Sequence, residues 1–434
     1  MAIGNAAGTK MGKASDVDSN TRQTVQLDDV ITTVVMARVT DYFGFFVFAI
    51  ASALVFPAIF FPYLEPVPAT LASFAVFSLA FLARPVASLI GRKLEPRIGK
   101  PGKITVALML LGTSTVAIGL LPGYDRIGWV APALLAVLRV IQGLGLGGSW
   151  DGMTLQLKSA APKDRDGLYS MVPQLGGPIG FCVAAAMFYV LTGFLTEEEF
   201  YQYGWRFAFF AVMAVNVVSL FARLRLLTTN FGSDEATMMK SAPLGFLLRT
   251  QWREILLSAF LPLSSYALLH MLTVFPISYT LLFTDNAIDR IILWQLVGGA
   301  LAVGTVMLSG VLADRYSKRA VILGSSVLTL LLCLSIGTLN DNPAVYIVAG
   351  FIIFGLSYGQ SSAIVPDRFS PDCRYSGSAL STNLSWIFGA AFAPLVGLFL
   401  ASTFGLWAAA LYLVSGVLVT LATLFILRRQ FDKI

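Results

Sequence analysis

Residues 139 to 151 read RVIQGLGLGGSWD, and Gly143, Gly145 and Gly148 satisfy G-x-G-x-x-G, the spacing that seats a dinucleotide pyrophosphate. Two folds compete for this stretch. A nucleotide loop needs a short strand before it, a helix opening within it and an acidic residue about 20 positions on. Here the glycines lie inside an apolar run that begins at Ala131 and continues past them to residue 158. Along a membrane helix, small residues at such intervals let a neighbouring backbone approach closely. The stretch therefore reads as a packed membrane helix.

The rest of the chain agrees. Of 434 residues, 56% are hydrophobic and 12% charged, against about 25% charged in a soluble domain. Apolar stretches long enough to cross about 30 Å of hydrocarbon recur almost without pause after residue 30. Twelve are expected, over residues 33–61, 68–91, 103–121, 131–158, 168–193, 206–227, 255–283, 289–313, 320–338, 344–364, 376–400 and 404–427. The polar interval TTNFGSDEATMMKSAPLGFLLRTQWRE divides them six and six. This gives a tail at 1–30, a first bundle at 31–227, a central loop at 228–254, a second bundle at 255–427 and a tail at 428–434.

Short basic loops stay on the cytoplasmic side. Arg92, Lys93, Arg97, Lys100 and Lys103 follow the second span, Arg315, Lys318 and Arg319 follow the eighth, and Arg428, Arg429 and Lys433 follow the last. The opposite loops carry mainly Asp and Glu. Both termini are thus expected in the cytoplasm. The net charge of +6 is explained by basic loops facing anionic lipid and requires no nucleic acid. Residues 1–28 have no apolar h-region, so no cleavable signal peptide is expected. Cys182, Cys333 and Cys373 are scattered, and His270 is the single histidine, so neither a disulfide framework nor a metal site is expected.

A weak internal repeat supports the division. GVLADRYSKR at 310–319 follows the second helix of the second half, where the first half has Gly91, Leu94, Glu95, Arg97, Gly99 and Lys100. Two six-helix bundles of this kind rock about a site near the midplane. At this point the chain resembles the major facilitator superfamily. Residues 310–319 look like its G-x-L-x-D-R-x-G-R-K/R turn, with Ser317 at the second Gly, and LRVIQG at 138–143 looks like its fourth-helix R-x-x-Q-G motif. The resemblance narrows to the metabolite:proton symporters, which include carriers of proline and betaine, shikimate, 2-oxoglutarate and citrate. It rests on FLARPVASLIG at 81–91, LRVIQGLGLGG at 138–148, VPQLGGPIG at 172–180, GWRFAFF at 204–210, GLSYGQSSA at 355–363 and RYSGSAL at 374–380. Three stretches depart from that pattern. DYFGF at 41–45 puts Asp41 at a usual Glu and Gly44 at a usual Asp, GGSWDG has Ser149 at a usual Glu and adds Asp151, and LEPRIGKPGK replaces G-D-R-x-G-R.

An ionisable side chain at the centre of a membrane helix costs at least about 2.5 kcal/mol, so each is a functional candidate with a partner to find. Arg38 and Asp41 share a face of the first helix, where they either neutralise each other or leave Asp41 to couple protons. Asp41 is expected to face the helices bearing Arg84 and Arg139. The resemblance implies that Arg84 binds a substrate carboxylate, a task for which a guanidinium fork is suited; the alternative is a salt bridge to Asp41. Arg139 and Gln142, three residues apart, point into the bundle as a second substrate contact. Asp151 lies roughly 18 Å further along the fourth helix than Arg139. It is expected to latch a gate against Arg97 or Arg92, or else to carry a proton, while Asp314 and Arg315 are the matching gate residues of the second half.

His270, with an ordinary pKa of about 6.5, either exchanges protons or serves packing. Tyr266, Tyr358, Gln360, Asn383 and Trp386 supply a neutral, aromatic lining from the second half. Three Arg against two Asp leave an intramembrane excess of one positive charge, which favours an anionic or zwitterionic substrate. The chain is therefore expected to be a multi-pass protein of the bacterial inner membrane that moves a small carboxylate or zwitterion with protons, as a monomer, without cofactor or metal. The competing readings are a non-transporting sensor or scaffold of the same fold and a uniporter or exchanger without proton coupling. A primary pump is disfavoured because no G-x-x-x-x-G-K-S/T loop occurs, and an enzyme because no nucleophile, base and orienting group can be assembled.

Overall fold

A computed structural model describes residues 27–148, 157, 162, 164–228 and 242–428, and no strand occurs among them. The chain runs through α1 (Leu27–Leu54), α2 (Pro66–Gly91), α3 (Pro101–Leu120), α4 (Val130–Gly148), α5 (Asp166–Phe194) and α6 (Arg206–Thr228). It then continues through α7 (Trp252–Phe283), α8 (Ile288–Arg315), α9 (Lys318–Cys333), α10 (Pro343–Ser361), α11 (Pro371–Phe404) and α12 (Leu406–Ile426). Among the described residues, ten helices are long and apolar enough to cross a membrane. An eleventh follows if the helices Glu197–Gly204 and Arg206–Phe221, bent by 43°, count as one span. The 16-residue α9 completes the expected twelve, because the chain turns on through the short helix Thr338–Asp341 before entering α10.

Sequence explains the breaks. Gly99 sits between α2 and α3 at φ 73, a left-handed conformation that costs a side-chain-bearing residue about 1–2 kcal/mol. Thr196 and Glu199 form a reciprocal capping box ahead of the α6 bend, and the hydrogen bonds from Thr196 hold the Glu199 carboxyl below its ordinary range. The interval expected as a polar central loop ends in a helix, Leu244–Thr250. Its Leu247 is wholly buried against Ile255, Ile364, Phe369 and Leu424, so apolar burial orders a segment that composition marks as loop. The span expected to run to residue 158 is described as far as Gly148, and Ser149 and Asp151 lie outside the described residues.

The opening glycines now have a physical role. A Cβ on Gly143 would lie 2.7 Å from the Ala80 Cα, and one on Gly147 would lie 2.8 Å from the Arg84 Cα. Gly145 faces the other way, with its Cβ 2.8 Å from the Ala107 carbonyl of α3. The second half repeats the device at the same four-residue interval. A Cβ on Gly355 of α10 would lie 2.6 Å from the Ala302 carbonyl of α8, and one on Gly359 would lie 3.0 Å from the Val306 carbonyl. In hydrocarbon, such close backbone approach replaces the hydrophobic drive that packs helices in water. The pairs α2/α4 and α8/α10 are thus built alike, as two pseudo-symmetric bundles require. Gly143→Val should lower stability by about 1–3 kcal/mol through overpacking, read as the melting temperature of detergent-purified protein. Gly193→Ala, at a position with nothing within 4 Å of the added carbon, should leave it unchanged.

Candidate functional site

Charged side chains converge on one small internal space. A cavity of about 50 Å³ is lined by Arg38, Asp41, Tyr42 and Phe45 of α1, Arg84 of α2, Leu146 of α4 and Trp386 of α11. Larger crevices open toward the two ends of the bundle. One of about 190 Å³ reaches Pro85, Glu95, Lys103 and Tyr375 at the basic end, and one of about 250 Å³ reaches Pro57, Thr70 and Ser278 at the other. The central cavity thus lies between them.

Of its three charged side chains, Asp41 and Arg84 are not paired with each other. Asp41 Oδ2 accepts from Arg223 Nη2 of α6 at 2.6 Å and lies 3.7 Å from Arg38 Nη1. Its Oδ1 is buried with no hydrogen-bond partner among the described residues. Asp41 thus shares the cavity with Arg84, as expected, and pairs with Arg38 of its own helix, but the cation hydrogen-bonded to it is Arg223, only 1% exposed, and neither Arg84 nor Arg139. Arg223 went unnoticed in the sequence because it sits beside Arg225 at the end of an apolar span, where Arg usually flanks a membrane. The intramembrane excess of positive charge rises by one accordingly. Arg84 has its guanidinium carbon 5.3 Å from the Trp386 ring, and among the described residues its Nε is buried without a partner and it forms no ion pair with a carboxylate.

Aromatic rings close the cavity from the second half. Trp386 stacks on Tyr266 at 4.5 Å and lies within 6.2 Å of Phe45, Phe81 and Tyr42. The Tyr358 hydroxyl donates to that of Tyr42 across the two halves. His270 is fully buried, 5.2 to 6.3 Å from the rings of Phe45, Phe77 and Phe81. Its Nδ1 is 3.5 Å from the Thr273 hydroxyl and its Nε2 has no partner among the described residues. Arg139 does not line the cavity. It donates to the Phe77 carbonyl and to Gln142 Oε1 at 3.0 Å, with Phe48 3.7 Å from its guanidinium carbon. Gln142 in turn donates to Thr115. Arg139 and Gln142 thus form an internal network between α2, α3 and α4.

The remaining predicted residues lie at the basic end. Asp314 accepts from the backbone N–H of Gly167 at 2.6 Å and of Leu168 at 3.1 Å, capping the first turn of α5 across the two halves. A carboxylate is favoured there by the unsatisfied amides and the helix dipole. Gly167 is required for the approach, since its Cβ would lie 2.8 Å from that of Ala313. Lys318, rather than Arg315, supplies the cation. Its Nζ is 2.5 Å from Asp166 and 3.2 Å from Asp367, while Arg315 is exposed and leans on Tyr316. Ser317, at the place of a customary glycine, caps α9 by accepting from Ala320 N at 3.0 Å. Gln360 donates to the Gly167 carbonyl and to Ser309, which puts it in this latch and not beside the cavity. Asn383 donates to Ser88 at 3.0 Å, one turn beyond Arg84. The first-half turn is different: Glu95 pairs locally with Lys103 at 2.6 Å, Arg97 is exposed, and its expected partner Asp151 lies outside the described residues. Lys318, Asp166 and Asp367 could have been suggested by the basic-acidic alternation around the turn, but not paired.

The fold and this arrangement are those of a membrane transport protein with two six-helix halves. Residues 42–383 match the Major Facilitator Superfamily, and the chain belongs to it. It is 34% identical over 419 residues to the inner membrane metabolite transport protein YhjE of Escherichia coli (strain K12), covering 94% of each chain. It is 27% identical over 402 residues to the shikimate transporter of that organism, covering 90% of this chain and 92% of the relative. Over 378 residues it is 27% identical to the proline/betaine transporter, covering 83% and 75%. Among solved structures, the D-xylose-proton symporter shares the fold with a TM-score of 0.68 at 15% identity, covering 92% of this chain and 97% of that one. These relatives are transport proteins, not enzymes.

Asp314→Asn should loosen the latch, because a neutral amide caps a helix end with less electrostatic gain. In the Ser362→Cys background, whose hydroxyl meets Gln174 across the halves, maleimide should label the purified Asp314→Asn protein several-fold faster. Equal rates would remove Asp314 from the closing of this end.

Proposed function

We propose that this chain is a proton-coupled symporter in which Arg84 anchors the carboxylate of a small metabolite and Asp41 carries the proton. The observation that carries the reading is the state of Arg84: a half-buried guanidinium facing the central cavity, its Nε shielded and no carboxylate among the described residues paired with it, while the neighbouring acid is occupied by Arg223. A cation in that position costs free energy unless a ligand joins it. A carboxylate does so through two parallel charge-assisted hydrogen bonds. Shikimate, proline and betaine, the substrates in the relatives' names, all bear a carboxylate. Around the cavity Arg38, Arg84 and Arg223 face the single carboxylate of Asp41, an excess of positive charge that suits an anion or the acid end of a zwitterion. The aromatic wall of Trp386, Tyr266 and Tyr358 contributes apolar contact. Both termini face the cytoplasm of a bacterial cell, on the ground of the basic loops.

Alternating access follows from how the cavity is closed. Rocking of the two halves would break either the Asp314 and Lys318 latch or the contacts at the opposite end, while the centre stays in place. A carboxyl whose proton affinity differs between the two states turns a proton gradient into a population bias, because a ligand shifts an equilibrium only through differential affinity.

Thermal stabilisation against shikimate, proline and glycine betaine tests the anchor. The ligand that raises the melting temperature of the wild type should bind Arg84→Lys about tenfold to a hundredfold more weakly, since the ammonium keeps the charge but not the planar fork. Unchanged affinity would exclude Arg84 from the binding site. In proteoliposomes, Asp41→Asn should abolish accumulation driven by a pH gradient and retain exchange without one. A variant that still concentrates substrate would remove Asp41 from coupling and make His270 the next residue to test.

A further inference from the structure

At the basic end the chain enters the second half through two helical pieces, Leu244–Thr250 and the start of α7 at Trp252, with a bend at Gln251 between them. Packing sets their depth. Leu247 is fully buried in an apolar cluster that also holds Leu424 and Leu427 at the end of α12, so the first piece sits level with the last turn of that helix. In this turn Phe425 and Ile426 are largely exposed, as side chains in contact with hydrocarbon are, and Arg428 follows at once. An apolar turn that gives way to arginine marks the boundary between acyl chains and headgroups. Helix Leu244–Thr250 therefore lies along that boundary. Its outward side chains have the composition the boundary demands. Phe246 and Trp252 are about half exposed, and Arg249, Arg253 and Arg428 are exposed. Phe246 and Arg249, three residues apart, share a face of the helix, and the guanidinium carbon of Arg253 stands 5.4 Å from the Trp252 ring. The single acid between residues 242 and 256, Glu254, is taken up by the buried Arg368. Three cations beside two aromatic rings are thus left with no ion pair to a described carboxylate.

We propose that Phe246, Arg249, Trp252, Arg253 and Arg428 form a docking surface for the headgroups of anionic phospholipids. The complementarity has two layers. A phospholipid offers a phosphate at the boundary and acyl chains beneath it; a guanidinium donates in a planar fork to phosphate oxygens, while aromatic rings of an interfacial helix enter the acyl region beside them. Free phosphate would meet the arginines and leave both rings in water, so the surface is built for a lipid. A zwitterionic headgroup brings its own ammonium to three arginines, which favours an anionic headgroup over it. The surface is held from inside. Leu247 fixes the helix in the apolar cluster, and the Ala242 N–H donates to the Ser376 hydroxyl of α11 at 3.1 Å. Two other side chains of the same helix, Leu244 and Leu248, line the crevice at the basic end together with Leu89 and Lys103 of the first half. One short helix thus meets lipid on one side and the space between the halves on another.

Brominated lipids test the contact directly, because bromine quenches tryptophan fluorescence only at close range. The purified full chain is reconstituted in phosphatidylcholine vesicles that hold a minor fraction of either brominated phosphatidylglycerol or brominated phosphatidylcholine. The Trp252 signal is the difference between wild type and Trp252→Phe. Phosphatidylglycerol should quench it with a relative affinity about tenfold to a hundredfold above that of phosphatidylcholine, the scale of two or three basic side chains at an anionic surface. The preference should fall to near parity when Arg249→Gln, Arg253→Gln and Arg428→Gln are combined, and should survive in the triple Lys variant, which keeps the charge. Should the glutamine variant fail to fold, added salt makes the same test on the wild type: the preference should shrink as exposed charges are screened. Inorganic phosphate, at matched ionic strength, should not displace the lipid. Equal quenching by the two lipids in the wild type, a preference that persists in the glutamine variant, or displacement by inorganic phosphate would overturn the proposal. So would a Trp252 quenched by neither lipid, since water or another protein would then cover this face.

Discussion

The approach of α4 to α2 is the constraint on which the centre of the molecule depends. Gly147 lies so close to the Arg84 backbone that a single added carbon would meet its Cα at 2.8 Å. No side chain intervenes, so the two helices are held at backbone distance and the Arg84 guanidinium is aimed at one place, beneath Trp386. From the other side, a Cβ on Gly180 of α5 would lie 2.7 Å from Tyr42 Cβ, which fixes α1 in the same manner. Lipid gives helices no hydrophobic reason to associate, so close packing of small residues has to hold them. A bulkier residue at either contact would move a cavity-lining side chain as well as lower stability.

Within that frame, each of the three interior arginines has a different environment. Arg139 gives hydrogen bonds to a backbone carbonyl and to Gln142, with Phe48 against its guanidinium face; its role is to join α2, α3 and α4. Arg223 is committed to Asp41 and the Ala37 carbonyl. Arg84 alone of the three faces the cavity without an internal carboxylate. Desolvation makes an unmatched charge expensive and a matched one tolerable, so the position of one carboxylate, that of Asp41, gives chemically identical side chains different electrostatic surroundings.

The two charged turns look like repeats in sequence and act differently in the structure. The second spans the halves: Asp314 caps α5 and Lys318 reaches both Asp166 and Asp367. The first closes on itself through Glu95 and Lys103. The difference follows from composition. LEPRIGKPGK has no aspartate at the place of Asp314, and the longer Glu95 finds a lysine eight residues on before it finds a helix end. One turn thus ties the two halves together and the other braces itself locally.

Much of this architecture is legible in the chain alone. The alternation of apolar spans with basic turns determines twelve helices, the division into two halves, the rejection of a nucleotide loop at Gly143 and the identity of the buried charges other than Arg223, because hydrocarbon allows few polar residues and each stands out. Pairing is what the sequence leaves open. Asp41 lies 182 positions from Arg223 and 43 from Arg84, and separation along the chain says nothing of which guanidinium it meets. Gln360 and Tyr358 are two residues apart, yet one reaches Gly167 and Ser309 at the basic end and the other the hydroxyl of Tyr42, since residues at that interval point to different sides of a helix. Composition and periodicity set which side chains must be hidden from lipid; only the packing of helices against one another decides which of the hidden charges neutralise each other and which is left unmatched.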